Sequence, residues 1–303
     1  QGGGSGCNLA IDLKKLDPSF HVETMTLLGD DDDGRFLQSQ CELYGIDHTK
    51  MHLTSLGSTP FTDCFNSVAS GKRTHLFYPG VADILSPDHF DFSDTKARLL
   101  HLGLPGAHRL LDAPWQNDPT GWTSVLRKAR QAGLQTNLEM VSTTREKVHH
   151  FGRSCLPYLD LLIVNDYEIG AVADVDTREG VQTRIDRVVE ALHLALSFGP
   201  ISVAVAHFPE GAIAVPRGSA PISVGSLAIP ADQIVGVNGA GDAFAAGFLY
   251  QWHQGCSVEE SLRFGHAVAA ASMREVATTT GVGPVADIER FAAQWGYRPA
   301  PSV

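Results

Sequence analysis

Residues 239–242 read Gly-Ala-Gly-Asp and open a helix-like pattern that runs on from Ala243 to Trp252. Gly239, Ala240 and Gly241 make a small-residue turn. Unpaired backbone N–H groups at the start of a helix form an anion site at the positive end of its dipole. Asp242, placed beside such a site, cannot hold the anion by attraction. A carboxylate there is suited to take a proton from a hydroxyl that attacks the anion. An anion hole with a local base points to phosphoryl transfer to an alcohol. The competing reading is structural: a Gly-rich strand-to-helix turn with Asp242 as the helix cap.

A site of this kind needs a scaffold, and the pattern of the chain supplies one. Apolar runs at 98–102, 159–164 and 201–206 read as buried parallel strands, with further strands at 22–28 and 133–138. Helical spacing marks 120–132, 166–173 and 184–197, and three more helices follow at 242–254, 257–274 and 285–295. Alternation of this kind implies an α/β layer structure with a doubly wound sheet. The small residues 267–272 suit tight packing of their helix on a sheet. Short β-like runs at 62–68 and 73–78, joined by Ala-Ser-Gly-Lys, read as a hairpin that either decorates an edge or covers a site. The acidic run Asp30 to Asp33 is expected in a loop.

Composition narrows the function classes. Hydrophobic residues make up 43% and charged residues 19%, a globular balance, and 303 residues suffice for one large domain. The net charge is -11 and no Lys/Arg run exceeds two residues, which argues against a nucleic-acid surface. The five cysteines (Cys7, Cys41, Cys64, Cys155 and Cys256) are scattered with no CxxC pair, as expected of reduced thiols in a cytoplasmic protein. No histidine pair has metal-ligand spacing, no apolar run has spanning length, and no signal peptide is visible, so no membrane association is expected.

Four segments in order give the chain a resemblance to the ribokinase-like (PfkB) carbohydrate kinases, nearly end to end. Residues 3–8, Gly-Gly-Ser-Gly-Cys-Asn, resemble the family's GGxxxN segment; residues 29–34 resemble its GxDxxG turn. Asn165 and Glu168 resemble NxxE, and residues 239–242 resemble GAGD. The resemblance implies a central, mostly parallel sheet flanked by helices, with a small β lid at about 50–80 that closes over the sugar and forms a homodimer contact. It implies Asp242 as catalytic base and the N–H groups of Gly239, Ala240 and Gly241 as anion hole. Gly3, Gly4 and Asn8 would line the substrate pocket. Asn165, Asn238 and Gly211 would lie at the nucleotide or its phosphates, and Glu168 would help place Mg²⁺ through water. Structural alternatives stand beside these: Asn8 as cap of a helix at 9–16, Asn165 as cap of the helix at 166, and Glu168 as complement to that helix's dipole. The 29–34 turn is given no chemistry.

The chain departs from the family pattern in four places. It begins at the GG segment, where members have a preceding strand ending in a substrate-binding Asp; that strand is expected upstream. Gly236 and Val237 stand where Asp-Thr is usual, which puts potassium activation in question. Residues 206–211, Ala-His-Phe-Pro-Glu-Gly, replace a Thr-x-Gly-x-x-Gly loop near the nucleotide. Glu139 and Met140 stand where an Asp-Pro-Asn sequence is common. The expected activity is ATP-dependent phosphorylation of a hydroxyl, a primary one, on a monosaccharide or sugar acid. A nucleoside kinase and a non-catalytic sugar- or nucleotide-binding homologue are the alternatives.

Overall fold

The computed structural model describes residues 2–66, 73–141 and 143–303. Helix α1 (Ser5–Leu16) is followed by β1 (Glu23–Gly29), α2 (Asp32–Tyr44) and β2 (Asp47–Thr54). β2 runs parallel to β1, and the two form a separate two-stranded sheet. The acidic run does not sit in a loop. Asp31 caps α2, accepting from Gly34 N at 2.8 Å and Thr59 N at 2.7 Å, while Asp32 and Asp33 occupy its first turn. Carboxylates at a helix N-terminus meet unpaired N–H groups and the positive dipole end, so the run starts a helix.

Strands β3 (Phe61–Asn66) and β4 (Arg73–Tyr78) pair antiparallel in the segment expected to form a lid. The end of the first predicted run and the Ala-Ser-Gly-Lys connection lie outside the described residues. Thr62, Cys64, His75 and Phe77 share the hairpin face that lines the cleft below it. Asp63, Phe65, Leu76 and Tyr78 share the other face.

The main sheet follows. Its order of elements is β5 (Leu99–Gly103), α3 (Arg109–Asp112), α4 (Gly121–Gln131), β6 (Gln135–Glu139), α5 (Arg145–Cys155), β7 (Leu161–Asn165) and α6 (Asp166–Ala173). A small hairpin, β8 (Arg178–Glu179) and β9 (Gln182–Thr183), leads to α7 (Ile185–Ser197), β10 (Val203–Phe208), β11 (Gly211–Pro216) and β12 (Ile222–Gly225). The six strands lie in the order β12-β11-β10-β7-β6-β5, parallel from β10 to β5 and antiparallel across β10-β11-β12. Helices α8 (Ala240–His253), α9 (Val258–Ser272) and α10 (Val285–Trp295) complete the chain.

Helices cover both faces because the strands are apolar on both. Leu102, Leu138, Leu162 and Val164 face α4, α5 and α7, whereas Leu161, Ile163, Val203 and Val205 face α1, α8 and α9. α4 shows how sequence sets this: Thr120 caps it by accepting from Thr123 N, and Trp122, Val125, Leu126 and Ala129 bury one stripe. The small residues of α9 do meet β11 and β12, but the helix closes chiefly on α8. A Cβ on Gly247 would lie 2.9 Å from Gly265 Cα, so these two glycines set how near the helices come.

Strand β1 pairs only with β2, and β5 is the outer strand of the six-stranded sheet, among the described residues. Met25 and Thr26 of β1 and Leu100 and Leu102 of β5 line one continuous cleft of about 2380 Å³. That cleft extends to the start of α8.

Candidate active site

The cleft meets the C-terminal ends of β5, β6 and β7 at Gly103, Glu139 and Asn165, where α/β sheets place their ligands. Opposite these ends α8 begins, two residues earlier than its apolar pattern predicts. Gly239 is its N-cap with φ 76°, a left-handed conformation that costs glycine little. A Cβ there would also lie 2.8 Å from Thr278 Cβ. Ala240 and Gly241 therefore fall in the first turn, whose N–H groups have no partner within the helix. Ala240 N makes only a long 3.4 Å bond to Val237 O.

Asp242 does not cap the helix: α8 has no side-chain cap bond. Its Oδ2 instead accepts from Asn8 Nδ2 at 2.6 Å, and Asn8 Oδ1 accepts from Thr278 Oγ1 at 2.9 Å. Asn8 is not a cap either. α1 starts at Ser5, with Gly4 at φ 86° before it, so Asn8 lies inside the helix and is buried. Both ends of its amide are engaged, leaving one Nδ2 hydrogen for a ligand. Burial, followed by the neighbouring Glu139 carboxylate, pushes Asp242 well above the usual carboxylate range, with Asn8 opposing the shift.

The remaining predicted residues divide. Gly3 and Gly4 line the cleft, and no heavy atom lies within 4 Å of where a Cβ on Gly3 would be. Asn165 and Glu168 line it too and form a reciprocal capping box: Asn165 Oδ1 accepts from Glu168 N at 2.9 Å, and Glu168 Oε2 accepts from Asn165 N at 3.0 Å. Asn238 reaches toward the lid, its Nδ2 4.0 Å from Cys64 Sγ. Gly211 is not brought to the cleft lining. It begins β11, and its missing side chain makes room for Val224 O, 2.3 Å from where a Cβ would lie, and for Pro301.

Sequence reasoning missed the groups behind Asp242. The Glu139 carboxyl neighbours that of Asp242 in the cleft wall and accepts from His101 Nε2 at 2.8 Å; His101 Nδ1 lies 2.9 Å from Asn137 Nδ2. Burial lowers His101 to about 4 and raises Glu139 to about 7. On α1, one turn after Asn8, Asp12 is fully buried and neither of its oxygens has a hydrogen-bond partner among the described residues. Burial, with Asp242 adding repulsion, raises Asp12 to about 8. The available signal was polar residues ending apolar strands, at His101, Asn137 and Glu139, since nothing buries such groups without cause.

This fold and site define a class of phosphotransferases, and the comparisons agree. The pfkB family carbohydrate kinase model matches residues 1–283, and the chain belongs to that family. It is 26% identical to a nucleoside kinase of Methanothermobacter thermautotrophicus over 98% of this chain and 86% of the relative. It is 26% identical to an ATP-dependent ribose-1-phosphate kinase of Halopiger xanaduensis, over 89% and 79%. The fold matches a ribokinase of Thermotoga maritima with a TM-score of 0.75 at 20% identity, covering 96% of this chain and 87% of that one. An Arabidopsis thaliana ribokinase complexed with ribose and ATP matches with a TM-score of 0.74 at 19% identity, covering 95% and 86%. The expected α/β fold and the sugar-kinase class both hold. No helix among the described residues is long and apolar enough to cross a membrane.

Proposed function

We propose that this kinase transfers the γ-phosphoryl group of ATP to a hydroxyl, a primary one, of a monosaccharide or sugar acid. The observation that carries the reading is Asp242 in the first turn of α8, held by Asn8 at 2.6 Å beside N–H groups that have no partner within the helix. Asp242 takes the hydroxyl proton as the substrate oxygen attacks in line. The N–H groups of Gly239, Ala240 and Gly241 meet the charge on the transferred group, where fixed donors act without reorganising. Gly3 and Gly4 leave open space for the sugar, and the lid hairpin closes over it to exclude water.

The cleft wall offers Mg²⁺ one buried carboxylate, Glu168, with Asn165 beside it, which fits an ion that keeps several waters. Bound there through water, the ion would neutralise charge on the phosphates. Asn238 at the lid contact would sit where the phosphates and the sugar meet. The slot between β1 and β5 is proposed to seat one extended strand. Amides of both strands would then be protected from hydrogen exchange in the enzyme isolated from its source, and rapid exchange at both would count against it.

Coupled ADP release across monosaccharides, sugar acids and nucleosides tests the reading. Turnover on a monosaccharide or sugar acid supports it. Turnover on nucleosides alone favours the second reading, for which His75 and Phe77 on the cleft face of the lid offer rings to a base. Ligand-dependent thermal shifts with no ADP would mark a binding protein. The outer lid face is proposed to pair with a second copy, because Phe65, Leu76 and Tyr78 are 57%, 57% and 47% exposed there. Sedimentation showing a monomer, unchanged by Leu76→Asp, would remove that proposal.

A further inference from the structure

The face of the main sheet against α1 and α8 is apolar along β7 and β10 but polar at the ends of β5 and β6. His101 and Asn137 are partners in the strand register, and Gly103 is paired with Glu139. Strand alternation puts His101, Asn137 and Glu139 on one face, with Leu102 and Leu138 on the other. The Asn137 amide nitrogen can only donate, which assigns the single proton of the neutral imidazole to Nε2. Nε2–H therefore donates to Glu139 Oε2, and the Glu139 carboxyl meets that of Asp242. The His101 and Glu139 side chains are 6% and 14% exposed, so the chain of contacts is enclosed.

A glutamate has no packing reason to be there. A buried carboxyl beside another carboxyl is costly unless something holds it, and here His101 does. Resting on the reading of Asp242 as base, we propose that Glu139, suspended from His101 and Asn137, is a positioning residue that aims the Asp242 carboxylate and shares the proton it takes. The step balances within the site. The substrate oxygen forms a bond to the γ-phosphorus, the bond to the ADP oxygen breaks, and the hydroxyl proton moves to Asp242, where it forms the hydrogen bond to the neighbouring Glu139 carboxylate. Two adjacent carboxylates bind their first proton more tightly than one alone, which strengthens the base.

Other titratable groups face the pair: Cys7 and Asp12 from α1, Glu168 from α6 and His207 from β10. The hydrogen bond that holds Glu139 from the neighbouring strand comes from His101.

The test is the pH profile of kcat/KM for the intact enzyme with Mg-ATP and its best acceptor. Glu139→Gln should lower kcat roughly 10- to 100-fold, change the KM for ATP little, and move the acid limb to lower pH. His101→Phe, which removes the donor but leaves both carboxyls, should move the limb the opposite way. Glu139→Asp should restore part of kcat and return the limb toward that of wild type. Opposite shifts are a signature that a purely structural role does not give. An acid limb unmoved in both Glu139→Gln and His101→Phe overturns the proposal, whether or not kcat falls. Asp242→Asn separates this from the reading beneath it: if that variant turns over normally the base assignment fails, and if it is inactive while the limb stays fixed only the role of Glu139 fails.

Discussion

Asn8 Nδ2 donates to Asp242 Oδ2 at 2.6 Å, joining the first helix to the first turn of α8 across 234 residues of sequence. Thr278 braces the same amide from the other side. Asn8→Ala should lower kcat roughly tenfold, because the carboxylate loses the bond that fixes it. Asn8→Asp should do worse, roughly a hundredfold or more, because it sets a like charge against the base. Steady-state kinetics of the two variants check this, and wild-type kcat in Asn8→Ala would contradict it.

Activity should be lost on the acid side at unusually high pH for a carboxylate base. The competent form is ionised, and burial raises both carboxyls of the pair, Glu139 to about 7 and Asp242 well above its ordinary value. The rate therefore rises with pH through a midpoint well above the ordinary carboxylate range. A midpoint below about 5, in the ordinary carboxylate range, would show that the pair is not enclosed in the working enzyme.

Asp12 should make the fold pH-sensitive. Its carboxyl is raised from 3.8 to about 8, so the folded chain keeps a proton that the unfolded chain gives up. The stability tied to that proton is fully present below about pH 4 and is lost as pH rises toward 8. Asp12→Asn does not titrate. It should be the more stable form near pH 8, by on the order of 2–4 kcal/mol, and lose that advantage near pH 4. Thermal unfolding of both proteins across this range decides it, and a constant difference at every pH would refute the account of Asp12.

Potassium should have little effect on turnover. The loop before α8 lacks the Asp-Thr pair of its family, and main-chain bonds hold it instead. Val235 N and Gly236 N both donate to Met273 O, at 2.9 and 3.1 Å. An anchor already made by the backbone needs no cation to complete it. Rates with potassium and with a bulky organic cation in its place should agree within about twofold, a difference within ordinary salt effects. Strong activation would mean that a cation orders the loop after all.

The strand–helix alternation was legible wherever one period dominated. α6 keeps its predicted bounds because the Asn165 capping box marks its start, and α10 keeps its own because Pro284 and Gly296 bracket it. α2 was lost because it buries little beyond Gly34 and Cys41, so its polar sequence carried no stripe. The same holds for β2, none of whose residues is buried. Within the site, Asp242 and Asn8 could be named because their motifs are local. Their hydrogen bond could not, since it joins the two ends of the chain. Glu139 was noticed only as a departure, because its meaning depends on His101 from the neighbouring strand. Gly211 was assigned to the nucleotide by its position in a loop pattern, whereas β12 and Pro301 are what require its missing side chain.

The central claim is that Asp242 is the base of a phosphoryl transfer. Asp242→Asn keeps the shape of the side chain and a hydrogen-bonding partner for Asn8 but cannot accept a proton. With saturating Mg-ATP and acceptor, ADP release should fall by roughly a thousandfold or more, with ATP binding by titration calorimetry close to that of wild type. Turnover near the wild-type rate would contradict the account.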